Sequence, residues 1–216
     1  LKRIVIYGRE PEAGRVKTRL ASALGAERAA RIYGAVLRHT LREAARCGGD
    51  PILALADRPS VEFAARTEIP IEIQRGANLG ARMAETFQQQ FAAGASRVVV
   101  VGSDCPAITA DHLDRAFAAL QRDRVVLGPA IDGGYWLVGQ RSPGADLFSG
   151  IPWSTRGTLE ATRRRLEELG IRWCELEELG DVDTAEDLDR ELTLRGMPVR
   201  LHEELEGLLS DFGESR

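Results

Sequence analysis

The sequence predicts an α/β protein organised around an open sheet. The first observation behind this is the run Val98-Val99-Val100-Val101, apolar and β-branched. It is too short for a helix and the right length for a strand buried on both faces. The second is that comparable short runs recur along the chain with helical patterns between them. The third is punctuation: Gly102 ends the valine strand, and Pro106, which has no N–H, blocks a return to the ladder. Asp104 therefore sits at the carboxyl end of a central strand, the edge where open α/β sheets bind ligands. Capping the next turn is the alternative role for Asp104. Thr109, directly before Ala110-Asp111-His112-Leu113, is the better cap for the helix that follows.

In chain order, Ile4 to Tyr7 is the first strand. The loop after it holds Gly8, Pro11, Gly14 and the cations Arg9, Arg15, Lys17 and Arg19, with Thr18 among them. Gly14 lets the backbone approach a ligand closely. Cations at a helix start oppose the helix dipole, so a phosphate ligand explains them better than a solvated helix end. The spacing fits neither the Walker A loop nor the GxGxxG fingerprint. Leu20 to Arg46 reads as helix with a break near Gly25. Ile32, Val36, Leu37, Leu41, Ala44 and Ala45 make its apolar face, and His39 is a packing or surface histidine. Ile52 to Ala56 is a second buried strand, and Val61 to Arg66 a short helix. Ile69 to Gln74 alternates with period two, and Pro70 marks it as an edge strand.

Gln74 to Met83 (QRGANLGARM) is the second informative loop, placed before a helix over 81–91. Gln74 and Asn78 carry the paired donors and acceptors that read a base edge, with Gly80 and Arg82 beside them. Turns also use asparagine and glycine, so the pattern alone is not specific. A helix over 111–121 follows, then a strand and turn over Arg124 to Ala130. Tyr135 to Val138 reads as a strand paired across a hairpin-like connection. Asp132-Gly133-Gly134 puts a carboxylate on the tight corner between them. Trp136 fits either the core or a pocket wall. Residues 148–155 read as a loop in which Trp153 is exposed or lid-like. A helix over 158–169 and a final strand, Ile171 to Leu176, follow.

Thr184 and Asp187 have the spacing of a capping box, which leaves Asp181 and Asp183 unexplained. In an extended segment both carboxylates point the same way, and they repel unless a cation joins them. From Gly196 the pattern is an amphipathic helix with Leu201, Leu205, Leu208 and Leu209, then a polar tail. The expected organisation is one domain over residues 1–195 with an appended helix and tail over 196–216.

The chain has 216 residues, 44% of them hydrophobic, enough for one sizeable core. Its formal charge of −4, from 29 basic and 33 acidic residues, gives no global reason to expect nucleic acid or an anionic membrane as partner. No run approaches the length of a membrane span, and the basic-then-apolar start, Leu1 to Tyr7, is too short for a signal peptide. Cys47, Cys105 and Cys174 are odd in number and widely spaced. They suggest neither a disulfide framework nor a CxxC metal site, and a reducing cytoplasm fits them.

Together the motifs resemble the DUF2064 family of small bacterial GT-A-fold, glycosyltransferase-like proteins. They are Pro11 with Gly14-Arg15-Val16-Lys17-Thr18-Arg19-Leu20, Gln74 to Met83, Gly102-Ser103-Asp104-Cys105-Pro106, Asp132-Gly133-Gly134-Tyr135, Trp153-Ser154-Thr155, and Asp181-Val182-Asp183-Thr184 with Glu186-Asp187-Leu188. They run in order from the first strand to the last helix. Arg9 departs from the lysine that such proteins often carry before the proline, and keeps its charge.

The resemblance implies a Rossmann-like GT-A three-layer sandwich with a mixed, mostly parallel sheet and a nucleotide over the strand ends. Relatives in the superfamily include 2-phospholactate guanylyltransferase and the molybdenum cofactor guanylyltransferase. By position, Asp104 and Asp183, with Asp181 as a lesser candidate, would hold Mg²⁺ or Mn²⁺ on the nucleotide phosphates. Lys17, Arg15 and Arg19 would neutralise the remaining charge. The expected catalytic set is Asp104, Lys17 and Asp183. Gly14, Thr18, Gln74, Asn78, Gly80 and Arg82 join the cations in binding nucleotide. Asp132, Gly133, Gly134, Tyr135 and Trp153 suit a small polar acceptor held between backbone and ring.

The expected activity is metal-dependent nucleotidylyl transfer from a nucleoside triphosphate to a small phosphorylated acceptor. The dense cation cluster favours a triphosphate. Glycosyl transfer from a nucleotide-diphospho-sugar is the alternative, and a non-catalytic nucleotide-binding module the second. The expected partners are the nucleotide and the acceptor, with a homodimer left open.

Overall fold

A computed structural model describes residues 1–144 and 146–210. The described residues form seven strands and eight helices. The strands are β1 (Lys2–Gly8), β2 (Asp50–Leu55), β3 (Ile71–Ile73), β4 (Arg97–Gly102), β5 (Val125–Pro129), β6 (Tyr135–Gln140) and β7 (Trp173–Glu175). The helices are α1 (Thr18–Leu24), α2 (Ala26–Arg46), α3 (Val61–Arg66), α4 (Leu79–Ala92), α5 (Ala110–Ala119), α6 (Thr158–Glu168), α7 (Ala185–Leu194) and α8 (Val199–Ser210).

One sheet runs in the order β3-β2-β1-β4-β6-β5-β7. The valine strand, β4, is its middle member. Its pairings with β1, β1 with β2, β2 with β3, and β5 with β7 are parallel, whereas β6 runs antiparallel to both β4 and β5. The cause is the length of the β5–β6 link. Residues 130–134 close a tight turn, whereas a parallel neighbour needs a crossover of a dozen residues or more.

Alternation along the strands builds a core on each face. Ile4, Ile6, Val99 and Val101 pack with Tyr33 and Leu37 of α2 and with Leu113 and Phe117 of α5. Val5, Val98 and Val100 pack on the other face with Met83 and Phe87 of α4 and Leu159 and Leu166 of α6. The result is the three-layer, mixed and mostly parallel sandwich that the family resemblance implies. A further cluster joins Leu20, Ile32 and Val36 to Leu188 of α7 and to Leu201, Leu205 and Leu208 of α8. No helix among the described residues is long and apolar enough to cross a membrane. The three cysteines are free.

The break expected near Gly25 is found: at φ 86 it separates α1 from α2. Three details differ from the sequence reading. Ala45 is exposed, so the apolar face of α2 stops at Ala44. The edge strand shortens to Ile71–Ile73, because Pro70 only accepts, from the Leu53 N–H at 2.9 Å. The last strand shortens to Trp173–Glu175, paired only along β5.

Candidate functional site

The parallel strands deliver their carboxyl ends to one edge, and antiparallel β6 starts from that same edge. The loop after β1, the loop after β4, the turn before β6 and the segment before α7 therefore converge there. A backbone bond from the Val182 N–H to the Asp104 carbonyl, 3.0 Å, ties the motif after the valine strand to the last motif of the chain.

Lys17 stands between two buried side chains, Val16 and Leu20, and adopts a left-handed backbone conformation, φ 46. Its side chain turns inward and is only 10% exposed. The ammonium donates to Asp104 Oδ2 at 3.0 Å and to Asp183 Oδ1 at 2.5 Å. Arg19 donates to the other oxygen of Asp183 at 2.6 Å. Burial works against the Lys17 charge, but the two carboxylates outweigh it and hold the pKa above the ordinary lysine range.

Asp181 completes an acidic cluster. One oxygen from each of Asp104, Asp181 and Asp183 lies within 4.8 Å of the others. Burial, with Asp104, Asp132 and Asp183 as like-charged neighbours, raises Asp181 to about 6. Hard carboxylate oxygens at this spacing fit a divalent cation such as Mg²⁺ or Mn²⁺, whose charge would relieve the repulsion.

Two cavities open onto this cluster. The first, about 580 Å³, is lined by Lys17, Thr18, Arg15 and Arg19 on one side and by Tyr7, Gln74 and Arg82 on the other. The second, about 670 Å³, is lined by Asp132, Gly134, Tyr135, Trp136, Trp153 and Arg156. Arg19, Leu79, Asp104 and Asp183 line both.

The second cavity is held by shape. Gly133 sits at φ +89, and a Cβ there would lie 2.2 Å from the Arg156 carbonyl oxygen. Its own carbonyl accepts from Leu159 N–H at 2.9 Å, so the turn before β6 is clamped to the start of α6. Asp132 Oδ1 accepts from Gly134 N–H at 2.8 Å. Trp136 is both a core residue and a wall: it is buried, it donates to the Glu177 carbonyl at 3.2 Å, and its ring leaves room only for a glycine at 128. Trp153 is partly buried and packs edge-on to Tyr135. Burial raises the Tyr135 hydroxyl well above its ordinary range, so it stays neutral.

The expected nucleotide residues do not all face the first cavity. Gln74 and Arg82 do: Gln74 donates to the Ala54 carbonyl at 2.8 Å and accepts from Arg82 at 3.4 Å. Asn78 instead caps α4, its side-chain oxygen accepting from Ala81 N–H at 2.9 Å. Gly80 faces Trp153, whose indole nitrogen lies 2.5 Å from where a Cβ would stand. Gly14 makes a left-handed turn at φ +81. Arg15 is half exposed and paired with Glu12 at 2.9 Å. Thr109, rather than Asp104, caps α5, in a box closed by His112. Thr184 and Asp187 form the expected box at α7.

Sequence reading missed Tyr33. This α2 residue is buried under the first cavity, where its hydroxyl accepts from Arg9 N–H at 2.9 Å and bonds Ser103 Oγ at 2.8 Å. It lies in an ordinary apolar helix face, and nothing local marks it.

A protein family described as uncharacterized protein conserved in bacteria, DUF2064, matches residues 39–155, just over half of the chain. The chain belongs to the DUF2064 family. The matched segment contains Asp104 and both second-cavity motifs. No curated protein matches the sequence. Among solved structures, a candidate nucleotide-diphospho-sugar transferase from Desulfovibrio desulfuricans G20 is similar over 96% of each chain, at 29% identity and a TM-score of 0.89. CMP:2-keto-3-deoxy-manno-octonic acid synthetase, solved with CTP, shares the fold at 16% identity and a TM-score of 0.58, over 90% of this DUF2064 chain and 98% of its own. The inositol-1-phosphate CTP transferase of T. maritima does so at 11% and 0.53, over 97% and 96%. The expected fold is thus found, and two of these three neighbours carry transferase names, as the sequence reading expected.

Proposed function

We propose that this DUF2064 protein is a metal-dependent transferase that moves the nucleotidylyl group of a nucleoside triphosphate onto a small phosphorylated acceptor. The observation that carries this is the meeting of two cavities at Asp104 and Asp183, with Lys17 and Arg19 at the junction. A transferase needs two substrates whose reacting atoms meet, and a displacement at phosphorus depends on positioning and charge neutralisation rather than a side-chain nucleophile.

In this reading the first cavity takes the nucleotide. Gln74 and Arg82 face the base, while Lys17, Arg19 and Arg15 neutralise phosphate oxygens. Asp104 and Asp183, with Asp181 beside them, would hold the divalent cation. When bound, that cation supplies Lewis-acid neutralisation of phosphate charge. The second cavity takes the acceptor between Gly134, Tyr135 and Trp153, and Asp132 orients its hydroxyl or amine. An anionic acceptor requires little proton transfer, consistent with a junction built from aspartates and cations rather than a histidine base. Residues 1–195 would act as the catalytic domain, with α8 bracing α2 from outside.

Glycosyl transfer is the second reading, favoured by the name of the Desulfovibrio protein. An assay with each nucleoside triphosphate, candidate phosphorylated acceptors and Mg²⁺ separates the two. Pyrophosphate release supports nucleotidylyl transfer. Release of nucleoside diphosphate from a nucleotide-sugar, with no pyrophosphate from any triphosphate, replaces it with glycosyl transfer. Tight nucleotide binding without either product supports a binding module.

A further inference from the structure

The two halves of the junction already satisfy each other. A single ammonium touches both principal carboxylates, at 3.0 Å and 2.5 Å, and Arg19 takes the remaining oxygen of Asp183 at 2.6 Å. We infer that Lys17 is the resident counter-cation of Asp104 and Asp183, holding the place of the divalent ion until nucleotide phosphates draw its ammonium away. This rests on the reading of those two aspartates as cation ligands.

The physical case is one of exclusion. A small divalent cation such as Mg²⁺ takes carboxylate oxygens at roughly 2.0–2.1 Å. It would compete for the same Asp104 Oδ2 and Asp183 Oδ1 that Lys17 contacts, and the two positive centres would repel at that range. They are therefore alternatives. With no nucleotide present, an arriving ion must break both ion pairs of an ammonium whose side chain is only 10% exposed, and the first cavity offers that ammonium no phosphate in exchange. Phosphates in the first cavity, which Lys17 also lines, give that ammonium a new anionic partner. Lysine suits such an exchange better than arginine, being a point charge on a flexible stem. The stem is rooted by buried Val16 and Leu20, and its head lies 5.8 Å from the Tyr33 ring centre. The metal and the nucleotide then enter together, and the free protein keeps no ion of its own.

The test is Mn²⁺ binding without nucleotide, read from the electron paramagnetic resonance signal of the free ion, for the wild type, Lys17→Met and Lys17→Gln. Both variants should bind Mn²⁺ roughly tenfold more tightly or better, because a unit charge has left the site. Adding Asp104→Asn to Lys17→Met should remove that gain. Equal or weaker Mn²⁺ binding in the single variants overturns the inference, as does a gain that survives Asp104→Asn. If neither variant folds, thermal denaturation of the wild type decides. Mn²⁺ alone should leave its Tm unchanged while Mn²⁺ with a nucleoside triphosphate raises it; an equal rise from Mn²⁺ alone overturns the inference. A gain in the variants while no nucleoside triphosphate binds the wild type overturns the nucleotide reading and leaves the counter-cation in place.

Discussion

The two cavities share one wall and are built on opposite principles. The first is organised by charge: Lys17 and Arg19 meet Asp104 and Asp183 across three separate loops, and Arg15 meets Glu12. The second is organised by steric fit: Gly133 against the Arg156 carbonyl, Gly80 against Trp153, Gly128 against Trp136. Charged pairs can be exchanged for other charged pairs, so the first region is suited to releasing its internal contacts to a ligand. Close contacts of a glycine with backbone or with a packed indole ring have no such alternative, so the second region presents a preformed shape. Substitutions of the charged residues should change binding and spare the fold, and those of the tightly packed glycines should do the reverse.

The sharpest way to break this contrast is Gly133→Ala. It meets both a positive φ and a backbone oxygen 2.2 Å away. A destabilisation of about 2–4 kcal/mol is expected, seen as a lower denaturation midpoint. A variant as stable as the wild type would mean that shape does not hold the second cavity. Next is Asp104→Asn on the charge side. Nucleotide affinity in the presence of Mg²⁺ or Mn²⁺ should fall by roughly tenfold or more, as when a group around a metal is lost. Affinity without metal and the Tm should move little, and calorimetry with and without the ion reads the difference.

Two smaller effects sharpen the boundary between the regions. Asn78→Ala removes the α4 cap and should cost about 1 kcal/mol of stability. Nucleotide affinity should not change, because the Asn78 oxygen serves Ala81 N–H; a change of base preference would restore the base-reading role that the sequence suggested. Asp132→Ala is the smallest in stability, at most about 1 kcal/mol for one exposed hydrogen bond to Gly134 N–H. Turnover with acceptor should fall while nucleotide affinity holds. A loss of stability as large as that of Gly133→Ala would reduce Asp132 to a turn former.

The sequence by itself determined the α/β class, the central valine strand and the aspartate at its end, because strand burial and strand termination are local properties of composition. The caps at Thr109 and Thr184 were readable for the same reason, since a capping box closes within four residues. The order of the motifs was enough to identify the family. Tertiary structure alone decided what the motifs touch. Asn78 looks the same in sequence whether or not its side chain caps a helix, and only the position of Ala81 N–H shows that it does. Gly80 looks like a ligand-facing glycine until Trp153, a distant residue, is seen to fill the space beside it. Tyr33 is one apolar-face residue among many until the sheet brings Arg9 and Ser103 to its hydroxyl. The pairing of Lys17 with Asp104 and Asp183 spans 87 and 166 residues of chain. No periodicity or spacing encodes such a contact. It follows from parallel strands delivering their carboxyl ends to one edge, where charges far apart in sequence come within hydrogen-bonding distance.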